Sequence, residues 1–202
     1  GAVMAKLKAL GLDDNTLVFF SSDNGAHAEG LHNSDFFDSN GIYNGIKRSM
    51  TDGGIHTPLL ARWPGKIKAG VINEHVSGFQ DFLPTAAAVS GASVTAKLDG
   101  LSMLSSLTGE GTQQEHDYLY WNFDEQGGKR AVLQWPWKLI HLNTGEGRPG
   151  KGKVKQAPLQ VQLFNLKDDE GEQTNVAAQH PEIVKSLTEK MQQAWQEPQV
   201  VP

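Results

Sequence analysis

The most constraining feature of the chain is an apolar run, Thr16-Leu17-Val18-Phe19-Phe20, that passes directly into Ser21-Ser22-Asp23-Asn24-Gly25. A strand that is apolar at every position, without alternation, is one covered on both faces, as in a parallel sheet. Upstream, Val3, Leu7 and Leu10 fall at i, i+4 and i+7 of a short helix, and Gly11 sits where such a helix stops. Asp13-Asp14-Asn15 reads as a polar turn. Helix, turn, buried strand and polar strand tip are the parts of a doubly wound α/β sheet, in which ligands gather beyond the carboxyl ends of the strands. Asp23 and Asn24 stand at that position.

Residues 26–56 show no clean periodicity and hold three histidines among glycines and polar residues. A stretch this long without regular structure is usually functional or mobile. Pro58-Leu59-Leu60-Ala61-Arg62-Trp63 predicts a strand ended by Pro64-Gly65, and His75-Val76-Ser77 a short one. Asp81 is placed to cap a helix through Ala86-Ala87-Ala88-Val89, with Gly91 as its stop. After His116 the pattern changes. Tyr118–Trp121, Arg130–Leu133, Trp137–Ile140 and Val161–Phe164 are short strand candidates separated by turn residues, which predicts an antiparallel sheet. Pro181 then opens a helix with Ile183, Val184, Leu187, Met191, Ala194 and Trp195 along one face, expected to cover one side of that sheet. These patterns divide the chain into an α/β part, residues 1–112, and a small α+β subdomain, residues 113–202.

Composition excludes several classes. The 202 residues, 38% of them hydrophobic, suffice for a core without covalent staples. A net charge of -5 gives no basic field for nucleic acid. No apolar run approaches the roughly 20 residues a bilayer-spanning helix needs. With no cysteine, disulfides and thiolate metal sites are excluded, and the redox compartment is unreadable. No nucleophile elbow, phosphate loop, dinucleotide fingerprint or His-Glu-x-x-His is present.

Three residues carry the candidate chemistry. Asp23 and Asn24 offer a carboxylate and an amide oxygen, hard ligands suited to calcium or magnesium, although Asp-Asn-Gly is also a common turn. Lys47, beside Gly45 and ahead of Asp52-Gly53-Gly54, suits an oxyanion such as sulfate or phosphate, although a solvated lysine is the plainer alternative. His27, His32 and His56 flank these groups, either as proton donors or as ordinary loop residues. A basic loop with Arg148, Lys151, Lys153 and Lys155 could meet a polyanion. Trp121, Trp135 and Trp137 could stack on sugar rings, although at least two are expected in the core.

A wider pattern connects these pieces. The segment Asp14-Asn15-Thr16-Leu17-Val18-Phe19-Phe20-Ser21-Ser22-Asp23-Asn24-Gly25 resembles the late metal-binding strand of the sulfatase family, within the alkaline-phosphatase-like superfamily. Gly45-Ile46-Lys47-Arg48, Asp52-Gly53-Gly54-Ile55-His56-Thr57-Pro58 and Ala61-Arg62-Trp63-Pro64-Gly65 follow in the family's order. Asp81-Phe82-Leu83-Pro84-Thr85 resembles the next helix start. Trp137-Lys138-Leu139 and the stretch from Leu163 to Glu172, ending Asn175-Val176-Ala177, resemble the C-terminal subdomain.

The resemblance implies the C-terminal part of an alkaline-phosphatase-like α/β sandwich, followed by a small antiparallel sheet packed by a C-terminal helix. It implies hydrolysis of sulfate esters, of a sulfated carbohydrate or an aryl sulfate. The nucleophile would be a formylglycine hydrate, and a calcium ion would polarise the sulfate. Asp23 and Asn24 would be two of the metal ligands, and Lys47 would contact the sulfate. The formylglycine-forming segment (Cys or Ser, x, Pro, x, Arg) and the family's N-terminal aspartate pair are absent and would lie upstream, so the chain alone is expected to be inactive and to need that missing N-terminal part as partner. The family's usual Glu-Gly-Gly is Asp52-Gly53-Gly54 here, shorter by one methylene. Export or a lysosomal location follows from the resemblance alone. Two alternatives stay open: a phosphate or phosphonate monoester hydrolase of the same superfamily, and a non-catalytic module that binds sulfated glycans.

Overall fold

The computed structural model describes residues 1–145 and 157–196. The basic loop of Arg148, Lys151, Lys153 and Lys155 lies outside the described residues. The chain forms two compact units, one of residues 1–22 and 58–117, the other of residues 23–57 and 118–202.

The first unit holds helix α1 (Ala2–Ala9), strands β1 (Val18–Ser21) and β2 (Leu59–Arg62), and helices α3 (Phe82–Ser90) and α4 (Leu104–Thr108). β1 and β2 pair antiparallel, with Val18 opposite Arg62 and Ser21 opposite Leu59. The apolar run had predicted burial in a parallel sheet. Instead, the two strands form a sheet of their own, with Phe20 67% and Leu60 59% exposed. An apolar strand shows that it suits burial, not which strand it pairs with. The apolar face of α1 is likewise open, with no buried residue. α3 ends as expected at Gly91, whose φ of 70° needs no side-chain strain. His75–Ser77 forms no strand.

Polar groups anchor this unit. Asp81 is fully buried and does not cap α3 with its side chain. Its carboxylate accepts the Gly78 and Leu101 amides, each at 2.8 Å, and lies 2.8 Å from His116 Nε2. The Thr85 hydroxyl donates to the Asp81 carbonyl at 2.6 Å and accepts the Met103 amide at 2.9 Å. A buried carboxylate satisfied by three donors is stable where a bare one would not be.

The second unit is a four-stranded antiparallel meander of β3 (Leu119–Phe123), β4 (Lys129–Gln134), β5 (Trp137–Leu142) and β6 (Gln160–Asn165), followed by α5 (Pro181–Ala194). The predicted runs appear here as strands, and the predicted helix packs on one face. Alternation along the strands sends side chains to two opposite cores. On one side, Val132, Leu139 and Leu163 pack with Leu187 and Met191 of α5. On the other, Ala131, Ile140, Phe164 and Leu166 pack with Met50. Trp121 joins the Met50 side and Trp137 the α5 side, while Trp135 is 59% exposed. Met50 thus fixes the 44–57 segment to the sheet. That segment contains Lys47 and one helical turn, α2 (Asp52–Ile55).

Candidate functional site

Asp23 and Asn24 directly follow the end of β1, Asp23 exposed and Asn24 half-buried. Asn24 Nδ2 donates to the Gly25 carbonyl at 2.9 Å, so Oδ1 is the acceptor end of this amide. Backbone hydrogen bonds join this tip to the Lys47 segment. The Gly25 amide donates to the Gly54 carbonyl at 3.0 Å, and the Lys47 amide to the Ala26 carbonyl at 2.7 Å. Asn40 adds a side-chain clasp, accepting the Ala26 amide at 3.2 Å and donating to the Gly45 carbonyl. The structure therefore brings the Asp23-Asn24 tip and the Lys47 backbone together within one unit.

The approach depends on glycine. A Cβ on Gly25 would overlap the Gly53 carbonyl, and one on Gly53 would overlap the Gly45 carbonyl. The two glycines allow backbones to meet where any side chain would hold them apart.

Lys47 is not alone. Its ammonium lies 3.1 Å from Glu29, whose other oxygen is 2.5 Å from Arg48. The Arg48 and Lys47 hydrogen bonds and charges hold the Glu29 carboxyl down to about 2. A carboxylate gripped by two cations is chemically similar to a bound sulfate. Neither Glu29 nor Arg48 was singled out from sequence; the adjacent basic pair Lys47-Arg48 was the available signal.

Beneath the glycine turn lies a second charged group. Lys138, the second residue of β5, has no exposed surface. Its ammonium pairs with Asp52 and with Glu172, the latter at 2.9 Å. Glu172 also accepts the Asp52 amide, and its backbone carbonyl accepts Asn44 Nδ2 at 3.2 Å. His56 Nδ1 stands 3.3 Å from Asp52. Burial pushes the Asp52 carboxyl up, but His56 and Lys138 outweigh it and hold it below the usual range. The Asp52 hydrogen bond raises His56 against the opposing effect of burial. At Glu172 burial dominates and the carboxyl is raised. His27 and His32 face each other with ring centres 5.2 Å apart, and His32 stacks on Phe37. They occupy the loop before Lys47.

Among the described residues no group of three or more His, Cys, Asp or Glu could hold a metal ion. Asp23 and Asn24 therefore fit calcium in donor chemistry and fall short in number, since calcium takes about six to eight oxygens. No helix among the described residues is long and apolar enough to cross a membrane.

Residues 1–92 match the sulfatase family model. The chain is 40% identical to rat steryl-sulfatase over 59% of its length, which is 22% of that protein. It is 30% identical to bovine arylsulfatase A, an alignment covering 96% of this chain and 39% of the relative. The crystal structure of Ps i-CgsB in complex with k-i-k-neocarrahexaose superposes with a TM-score of 0.75 at 27% identity, over 95% of this chain and 39% of that one. These likenesses place the chain in the sulfatase family, with the alkaline-phosphatase-like fold. It spans between a fifth and two-fifths of the length of the curated relatives named here.

Proposed function

We propose that this chain supplies one part of the active site of a sulfuric ester hydrolase. Lys47 contacts the sulfate, and Asp23 and Asn24 are two of the oxygen ligands of a calcium ion. What carries the reading is the pair of backbone bonds, Gly25 to Gly54 at 3.0 Å and Lys47 to Ala26 at 2.7 Å, that bind the acidic strand tip to the lysine segment. A calcium ion at such a site polarises sulfate oxygens. Lys47 stabilises the charge that builds on the sulfate as the ester bond breaks, a contact worth most in the transition state. To do so it exchanges Glu29 for the substrate. The remaining metal ligands and the formylglycine come from outside these residues, and the chain by itself is inactive.

The substrate class is a sulfated carbohydrate or aryl sulfate. Support comes from the arylsulfatase relative and from the k-i-k-neocarrahexaose in the Ps i-CgsB structure. Beside the Lys47 segment, Ser34, Asp35, Asp38, Asn40, Tyr43 and Ser49 line a polar hollow, a surface of the kind that hydrogen-bonds sugar hydroxyls.

The test is turnover of sulfate and phosphate esters by the full-length protein bearing formylglycine. Lys47→Ala should lower kcat/KM on a sulfate ester by roughly 10²–10³-fold, and calcium chelation should abolish turnover. Preference for the phosphate ester, or sulfatase activity indifferent to Lys47→Ala, overturns the reading.

A further inference from the structure

We propose that Lys138 is a positioning residue for the sulfate site, acting through Asp52 and Glu172. The proposal rests on the sulfatase reading and deepens it. A lysine within a strand, between Trp137 and Leu139, with no exposed surface is costly unless its charge is met on the spot. Asp52 and Glu172 meet it. Neither partner lies on the sheet. Asp52 opens the turn α2, and Glu172 follows β6.

The consequence runs through the backbone of that turn. Asp52 is held at its carboxylate by Lys138 and at its amide by Glu172. The next residue, Gly53, donates its amide to the Asn44 carbonyl at 2.8 Å, and Gly54 accepts the Gly25 amide at 3.0 Å. Gly25 follows Asn24 directly, and Asn44 lies three residues before Lys47. A single ion network therefore fixes the turn from which both halves of the site are suspended. Met50 supplies apolar anchorage in the same segment, but an apolar contact is non-directional and sets no register. The Asp52 carboxylate ties the turn to Lys138 of the sheet. Lys138 touches no substrate and is not a catalytic residue.

The experiment uses the full-length, calcium-loaded protein and three variants. These are Lys138→Met; the isosteric neutral combination of Lys138→Met, Asp52→Asn and Glu172→Gln; and Leu187→Ala, which loosens the opposite face of the sheet. Calcium affinity by calorimetry and steady-state kinetics on a sulfate ester are read well below each melting temperature. The neutral combination leaves no buried charge unpaired and therefore folds even where Lys138→Met alone does not. It should weaken calcium binding and lower kcat by roughly 10–100-fold, as loss of an outer support to a metal site does, with KM moved much less. Leu187→Ala should lower the melting temperature with calcium affinity and kcat unchanged. Wild-type calcium affinity and kcat in the folded neutral combination overturn the proposal, as does an equal loss in Leu187→Ala. If the wild-type protein cleaves no sulfate ester, the sulfatase reading fails, and the calorimetric comparison still decides whether Lys138 positions Asp23 and Asn24.

Discussion

The two units of this chain are stabilised by opposite means. In the second, the meander is closed by α5 on one face and by Met50 on the other, and Val132, Leu139 and Leu163 are fully buried. In the first, neither strand has a buried side chain, and the most deeply buried groups are polar, Asp81 and Thr85. Apolar burial scales with area removed from water, so the second unit has most of that contribution and the first little of it. The first unit relies on directed hydrogen bonds, which specify geometry well and contribute less net stability each. A proposed metal-binding tip that directly follows the weaker unit, yet is hydrogen-bonded into the stronger one, gains its order from the latter.

Truncation is the sharpest way to break this contrast. Leu139→Ala should cost about 2–5 kcal/mol in urea unfolding, from lost transfer energy and the cavity left behind. Leu60→Ala, already 59% exposed, should cost below about 1 kcal/mol. Equal costs would mean that the sheet of β1 and β2 is as well packed as the meander. Next in size is Asp81→Ala, which orphans the Gly78 and Leu101 amides and the His116 ring. Each buried donor left unpaired costs about 1–3 kcal/mol, so the variant should rival Leu139→Ala in melting temperature loss. A loss no larger than that of Leu60→Ala would remove the polar anchor from the argument.

The smallest effect lies with His56. Asp52 raises its pKa above the ordinary 6.5 against burial, with Lys138 opposing and Glu170 assisting. A group whose folded pKa is raised stabilises the fold fully below its unfolded pKa and loses that contribution as pH rises through the folded value. Wild-type protein should therefore be more stable than His56→Gln at pH 6, with the gap closing as pH rises through the raised folded value. The side chain is half-exposed, so the gap should stay under about 1 kcal/mol. Thermal melts of both proteins across that range check it, and a gap that widens with pH would reverse the sign assigned to the pair.

Much of the second unit was legible in the sequence, because short alternating runs between turn residues, and a helix with one apolar stripe, report directly on what each element buries. Asp23, Asn24 and Lys47 could be proposed from an ordered set of motifs, and the fold joins their segments by backbone hydrogen bonds. The pairing of β1 was not, since an apolar run says nothing of partner or direction. The ion network under the turn was also hidden. Lys138 sits within an apolar strand run, Trp137-Lys138-Leu139-Ile140, and Glu172 within an acidic stretch that reads as solvated. Only folding shows that a residue 86 positions from Asp52, and another 120 positions away, neutralise and hold it. A lysine interrupting a buried strand was the available signal.

Those separations set an order of events during synthesis. The Lys47 segment leaves the ribosome when neither Lys138 nor Glu172 yet exists, and its glycines leave it free to sample many shapes. The turn can acquire its final form only after β5, β6 and Glu172 have been made. The loop proposed to contact sulfate is thus translated well before the residues that hold it in place, and a nascent chain halted before Glu172 would carry every proposed site residue without the floor beneath them.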